Sequence, residues 1–294
     1  MASAELQKVI AARRAKGYAP EKTIEQLRAD SETRGAVPLP DGTTHEQLRA
    51  NGVPGEWVDT PGAASDQVFL FLHGGGYYRG SAAASRATSA RFSAACGARV
   101  FSLDYRLAPE NPFPAAVDDA LSAYRWLLDQ GIDAGKMGVG GISAGGGLTL
   151  ALLLKLKEAG LPQPAMAAPM SAWTDLTQSG DTFVSRADAD PVISKLYLDR
   201  MAGLYLNGID PRTPLASPLY GDLSGLPPTL VQVSEAEILY GDAIRYVNRA
   251  VAAGSPARLQ SWPHMVHVWQ MFYPRLTEAR EAWDEVGKFI AEAG

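Results

Sequence analysis

Val139-Gly140-Gly141-Ile142-Ser143-Ala144-Gly145-Gly146-Gly147 is the stretch from which the rest of the chain is read. It holds Gly-x-Ser-x-Gly, with Ser143 at its centre. A short apolar piece, Met137 to Val139, precedes it as a strand. The apolar run Leu148 to Leu156 follows and reads as a helix, with Lys155 and Lys157 in its last turn and Gly160 as its stop. A serine at such a strand-to-helix turn sits where a nucleophile elbow requires it. The glycines have a steric reason. A turn this sharp strains the serine backbone and presses its neighbours against adjoining strands, so side chains at 141 and 145 would clash. The same turn aims the first N–H groups of the helix at any anion forming on a bound acyl group. The bland alternative is a glycine-rich turn that packs a helix on a sheet or cradles a phosphate. With 29 glycines in 294 residues, composition alone produces the motif about 0.2 times per chain, so its weight rests on its surroundings.

Working outward, Val68-Phe69-Leu70-Phe71-Leu72 is a continuous apolar run, the mark of a strand buried on both faces. It runs into His73-Gly74-Gly75-Gly76-Tyr77-Tyr78, a loop whose backbone N–H groups can face a ligand. Strands at Arg99–Arg106, Ala165–Trp173, Thr229–Val233 and Ala257–Trp262 alternate with helices at Ser81–Ala95, Ala115–Asp129, Gly241–Ala253 and Leu276–Ala293. Alternation of this kind predicts a mostly parallel, doubly wound sheet with helices on both faces. Residues 43–60 predict an antiparallel hairpin around Asn51-Gly52. Two segments stand outside the alternation. Residues 1–40 predict one or two amphipathic helices split by Pro20, and 180–225 an insertion with helical pieces near Ser194–Leu206. The first is open between a lid, a dimer arm and a packed helix pair; the second reads as an insertion over the sheet, one that packs with those helices as a cap, on a catalytic domain spanning 41–294.

A serine nucleophile needs a base, and the base an orienting acid. The chain has four histidines: His45, His73, His264 and His267. His45 reads as a strand or surface residue. His73 is open to two roles, base or ring brace for the glycine loop, the brace being preferred. His264 and His267 follow the last strand, at the sheet edge where ligands bind in such folds. Glu235, Glu237 and Asp242 follow the strand before it, and the order serine, acid, histidine is that of α/β-hydrolases.

Composition removes other classes. Net charge is −5 and no basic stripe appears, so nucleic acid is not an expected partner. No apolar run is long enough to insert in a membrane, no signal-peptide core opens the chain, and a cytoplasmic protein is expected. The single Cys96 allows no internal disulfide and reads as a buried helix residue. No metal-ligand spacing occurs. A homo-oligomer stays open.

At these residues the chain resembles the hormone-sensitive-lipase-like family of bacterial carboxylesterases, within the α/β-hydrolases. The likeness spans roughly residues 55–291. It is carried by His73-Gly-Gly-Gly76, Asp104-Tyr-Arg-Leu-Ala-Pro-Glu110, Phe113-Pro-Ala-Ala-Val-Asp-Asp119, Gly141-Ile-Ser-Ala-Gly-Gly146 and Met265-Val-His267. It implies Ser143 as nucleophile, His267 as base, Glu237 as orienting acid, and Gly75, Gly76 and Ala144 as backbone oxyanion donors. It further implies a helical cap, activity without metal or cofactor, and small-molecule, short-acyl esters as substrates. Two positions depart from the pattern: Ile142 and Glu237 each stand where many members carry Asp. The competing readings are a non-catalytic binding module, which the presence of both Ser143 and His267 argues against, and an amide, lactone or thioester substrate.

Overall fold

A computed structural model describes residues 2–16, 22–34, 37–273 and 275–293. In chain order the elements are α1 (Ala4–Lys16), α2 (Ile24–Arg34), β1 (Thr44–Ala50), β2 (Val53–Asp59), β3 (Ala64–Leu72), α3 (Ala82–Cys96), β4 (Ala98–Leu103), α4 (Ala115–Asp129), β5 (Met137–Ile142), α5 (Ala144–Glu158), β6 (Met166–Met170), α6 (Thr182–Ser185), α7 (Lys195–Leu206), β7 (Thr229–Ser234), α8 (Tyr240–Ala252), β8 (Ala257–Trp262) and α9 (Thr277–Ala293). Among the described residues the strands form one eight-stranded sheet, ordered β1-β2-β4-β3-β5-β6-β7-β8. The β1/β2 and β2/β4 pairs are antiparallel, and every later pair is parallel.

Strand β3 shows why the sheet is covered on both sides. Side chains alternate across a strand. Val68, Leu70 and Leu72 pack with α4 and α5 residues such as Ala120, Leu148 and Leu152. Phe69 and Phe71 face the other way, onto Phe92 of α3 and Trp283, Val286 and Phe289 of α9. The apolar run 68–72 is thus needed at every position. Because β3 and β5 to β8 are parallel neighbours, their carboxyl ends share one edge of the sheet. The segments that leave that edge carry His73–Gly76, Ser143, Ser171, Glu237 and His267.

Local signals hold where the physics is local. Ser81 caps α3 by accepting the Ala84 N–H at 2.9 Å, and Gly97 ends it in the left-handed region at φ 61°. Asn51-Gly52 turns the β1–β2 hairpin, both at positive φ. His45 lies exposed on β1. Cys96 closes α3 partly buried, and burial raises its thiol pKa well above the ordinary value. Pro20, the expected break between the N-terminal helices, lies outside the described residues.

Several boundaries differ from expectation. The strand 165–173 is shorter, Met166–Met170, and the strand at 99–106 ends at Leu103. Helix α5 begins at Ala144 rather than Leu148. Three glycines in its first turn read as turn residues, yet packing demands them inside the helix. A Cβ on Gly147 would lie 2.2 Å from the Trp173 carbonyl oxygen. The α-helical pieces of the 180–225 insertion are α6 and α7, and the latter is capped by Ser194.

Candidate active site

The elbow is tight in the way its sequence requires. Ser143 sits at φ 55°, ψ −120°, a strained conformation for a residue with a side chain. A Cβ at 141 would meet the Gly145 carbonyl oxygen at 2.4 Å, and one at 145 the Leu72 carbonyl oxygen at 2.0 Å. Only glycine fits either position.

Ser143 Oγ lies 2.9 Å from His267 Nε2. His267 Nδ1 lies 2.5 Å from Glu237 Oε2. Glu237 is fully buried, and His267 is 9 % exposed. The other carboxylate oxygen of Glu237 accepts from Ser171 Oγ at 2.7 Å and from the Ser234 N–H at 2.9 Å. Ser171, at φ 47° just past β6, also accepts the Val268 N–H at 3.3 Å. The acid and the histidine loop are therefore held by one shared hydroxyl. A hydroxyl–imidazole–carboxylate chain in this order can pass the hydroxyl proton to Nε2 while the acid holds Nδ1–H.

The other acids and histidines are engaged elsewhere. Glu235 accepts from Ser261 Oγ at 3.1 Å. Asp242 is buried on α8, where it pairs with Arg245 at 2.9 Å and accepts the Thr174 and Asp175 N–H groups. Burial and then the Asp175 charge push Asp242 up to about 7. Burial works against the Asp175 carboxylate too. Hydrogen bonds from Thr177, Ser179 and Arg245 outweigh it, and its pKa is lowered. Arg249, further along the same helix, reaches the Gly221 carbonyl at 3.5 Å. His264 is exposed in a turn at φ 67°. His73 is buried, stacks on Tyr105 at 4.1 Å between ring centroids, and donates from Nδ1 to the Gly74 carbonyl at 2.9 Å. Burial pulls it down to about 4, so it is neutral at ordinary pH and braces the loop.

That loop faces Ser143. Among the described residues, the N–H groups of Gly75, Gly76 and Ala144 meet no protein acceptor. Gly74, Gly75, Gly76, Ile142, Ser143 and His267 line a cavity of about 170 Å³, together with Val192, Ile193, Tyr197 and Leu198 and with Arg13 and Ser31 from the N-terminal helices. Among the described residues no cluster of His, Cys, Asp and Glu could hold a metal ion. No described helix is long and apolar enough to cross a membrane.

Sequence reading missed Asp190. It is buried, accepts the Val192 and Ile193 N–H groups at 2.9 and 3.1 Å, and takes the Ile238 N–H at 3.1 Å. Its only local sign is the turn pair Asp190-Pro191, and nothing in the sequence ties it to a residue 48 positions on. Burial pushes it up to about 6, against the pull of His267 and with the push of Glu237.

A family model described as the alpha/beta hydrolase fold matches residues 69–271. An acetyl-hydrolase of Streptomyces hygroscopicus is 45 % identical over 238 residues, covering 81 % of this chain and 79 % of the relative. An esterase of Acinetobacter venetianus is 35 % identical over 243 residues, covering 82 % and 80 %. The carboxylesterase NlhH of Mycobacterium tuberculosis is 30 % identical over 274 residues, covering 90 % and 82 %. The crystal structure of an esterase from the bacterial hormone-sensitive lipase family superposes with a TM-score of 0.96 at 47 % identity, over 100 % of this chain and 99 % of that one. With sheet, elbow and glycine loop all in place, the chain belongs to the α/β hydrolase family, on its bacterial hormone-sensitive-lipase branch, and is a carboxylesterase.

Proposed function

We propose that the enzyme hydrolyses short-acyl carboxylic esters through an acyl-enzyme on Ser143, with His267 as base and Glu237 as orienting acid. The observation that carries this reading is the unbroken line Ser143 Oγ, His267 Nε2, His267 Nδ1, Glu237 Oε2, at 2.9 and 2.5 Å. His267 takes the serine proton as Oγ attacks the ester carbonyl. The developing oxyanion is met by the N–H groups of Gly75, Gly76 and Ala144, where loss of one donor costs about 3 kcal/mol. The imidazolium then gives its proton to the leaving alcohol. Water, deprotonated by the same ring, releases the acid and restores Ser143.

The cavity volume favours small substrates. About 170 Å³ is below the range of about 300–1,000 Å³ that holds a drug-sized ligand. The N-terminal helices and the 180–225 segment act as a cap in this reading, since Arg13, Ser31, Val192, Ile193, Tyr197 and Leu198 all reach the cavity.

Hydrolysis of 4-nitrophenyl esters of graded acyl length, with the 4-nitroanilide of the best acyl group beside them, tests both claims. Turnover is expected to be higher on short acyl chains than on long ones and to vanish in Ser143→Ala with circular dichroism unchanged. Near-normal turnover in that variant would sink the reading, and a peak at long chains would sink the short-acyl claim.

A further inference from the structure

The charge lining the cavity does not follow the charge of the chain. The protein carries a net −5, yet the cavity wall has Arg13 and Arg79 and no aspartate or glutamate. Arg79 stands at the end of the glycine loop. Gly75 accepts the N–H groups of Tyr78 and Arg79, both at 3.3 Å, which folds Arg79 back onto the segment that faces Ser143. Its guanidinium carbon lies 5.4 Å from the Tyr78 ring and 5.8 Å from the Tyr197 ring. Those two rings are joined by a 2.8 Å hydroxyl–hydroxyl hydrogen bond.

Nearby cations and acids are already matched. Arg28 is bound to Glu110 at 2.6 Å, and Arg86 to Glu56 at 2.7 Å. Glu32 accepts from Ser81 Oγ at 2.9 Å and does not line the cavity. Among the described residues Arg79 makes no ion pair. A guanidinium held against aromatic faces keeps its N–H edge for a planar anion, and partial burial strengthens that attraction. Nothing in the proposed ester cleavage uses this group.

We infer that Arg79 selects esters carrying an anionic group, a carboxylate on the acyl or the alcohol half, over neutral esters of the same shape. The inference rests on the esterase reading and adds the substrate class. The carboxylate docks on the Arg79 guanidinium while the ester carbonyl lies between Ser143 and the glycine loop.

The test uses two matched pairs. One is 4-nitrophenyl hydrogen adipate against 4-nitrophenyl methyl adipate, and the other is 4-acetoxybenzoate against 4-acetoxybenzamide, each corrected for spontaneous hydrolysis. In at least one pair the wild-type enzyme is expected to favour the anionic ester in kcat/KM by about tenfold, chiefly through KM. The advantage should shrink with added salt. Arg79→Gln should remove it and Arg79→Lys should keep part of it. Since each value is a ratio within one variant, loss of folded protein does not move it.

A wild-type enzyme that cleaves the neutral esters but favours neither anionic partner overturns the inference, without any variant. So does a preference that survives Arg79→Gln, or one abolished by Arg13→Gln instead. No cleavage of any of the four esters would count against the short-ester reading itself.

Discussion

Asp190 accepts the backbone N–H of Ile238, the residue after Glu237, at 3.1 Å. Its other oxygen holds Val192 and Ile193, which line the cavity. One buried carboxylate thus ties the cavity wall to the turn that carries Glu237. Asp190→Ala leaves three N–H groups without this acceptor, at about 1–3 kcal/mol for each one left unsatisfied. We expect kcat/KM to fall about tenfold or more in Asp190→Ala and less in Asp190→Asn, whose amide oxygen still accepts. Steady-state kinetics on a neutral 4-nitrophenyl ester decides it. Equal losses in the two variants would argue against a positioning role.

The same carboxyl makes a pH prediction. Burial raises it from the ordinary 3.8 to about 6, so the folded protein keeps its proton to higher pH than the unfolded chain. Its contribution to stability is therefore full below 3.8 and declines as pH rises through about 6. Asparagine does not titrate. The stability of wild type relative to Asp190→Asn should fall by up to about 3 kcal/mol between pH 4 and 7. Urea unfolding at both pH values measures it, and a constant or rising difference would contradict the assignment.

What could be read in advance follows the range of the interaction. The elbow was legible because its signature is written within five residues, Gly141 to Gly145, even though the oxygen that crowds Gly145 comes from Leu72 of β3. The two-sided burial of 68–72 is written as a continuous apolar run. Glu237 was singled out from Glu235 and Asp242 by the family likeness, and the three do differ in surroundings. Asp190 and Ser171 were not legible. Each acts through partners 48 to 97 positions away in sequence, and a single Asp or Ser carries no periodicity. The early start of α5 was missed for a related reason. Glycine weakens a helix by itself, and only the approach of Trp173 shows why the cost is borne.

The acid assignment separates cleanly by readout. Glu237→Gln is expected to lower kcat by a few orders of magnitude, near the ~10⁴ seen when a triad Asp becomes Asn. Glu235→Gln should change little. Asp242→Asn removes a buried partner of Arg245, itself 31 % exposed, so the effect should fall on stability by about 1–3 kcal/mol with turnover kept. Paired unfolding curves and initial rates on the three variants distinguish them. Turnover that survives Glu237→Gln and collapses in Asp242→Asn would move the assignment.

Among the histidines, only His267→Asn should remove turnover outright, since only His267 lies within hydrogen-bond distance of Ser143 Oγ. His264→Asn and His45→Asn should be neutral, since both residues are exposed. His73→Asn should lower activity by loosening the glycine loop, because the stack on Tyr105 and the bond to Gly74 both go. Activity in His267→Asn comparable to wild type would refute the base.

The N-terminal helices reach the site from two directions. Leu6 of α1 is fully buried in a cluster with Met265, Val266 and Trp269, which flank His267, and with Leu276 just before α9. Arg14 donates to the Asp188 carbonyl at 3.1 Å, two residues before Asp190. Arg28 of α2 donates to the Tyr78 and Ala108 carbonyls at 2.8 and 2.9 Å, bracing the end of the glycine loop. Most of the apolar contacts that hold the sheet come from β3, α3 to α5, α8 and α9; the N-terminal helices add Leu27 of α2 to the main core, with Ile24 packed against it. Deleting residues 1–35 should therefore leave far-ultraviolet circular dichroism close to that expected for the remaining elements. KM should rise, and discrimination among acyl lengths should weaken, because the cavity loses Arg13 and Ser31 from its wall. The milder Leu6→Ala should cost about 2–5 kcal/mol in local packing and move the acyl profile in the same direction. If the truncated enzyme folds and keeps the wild-type acyl profile, these helices are not a cap.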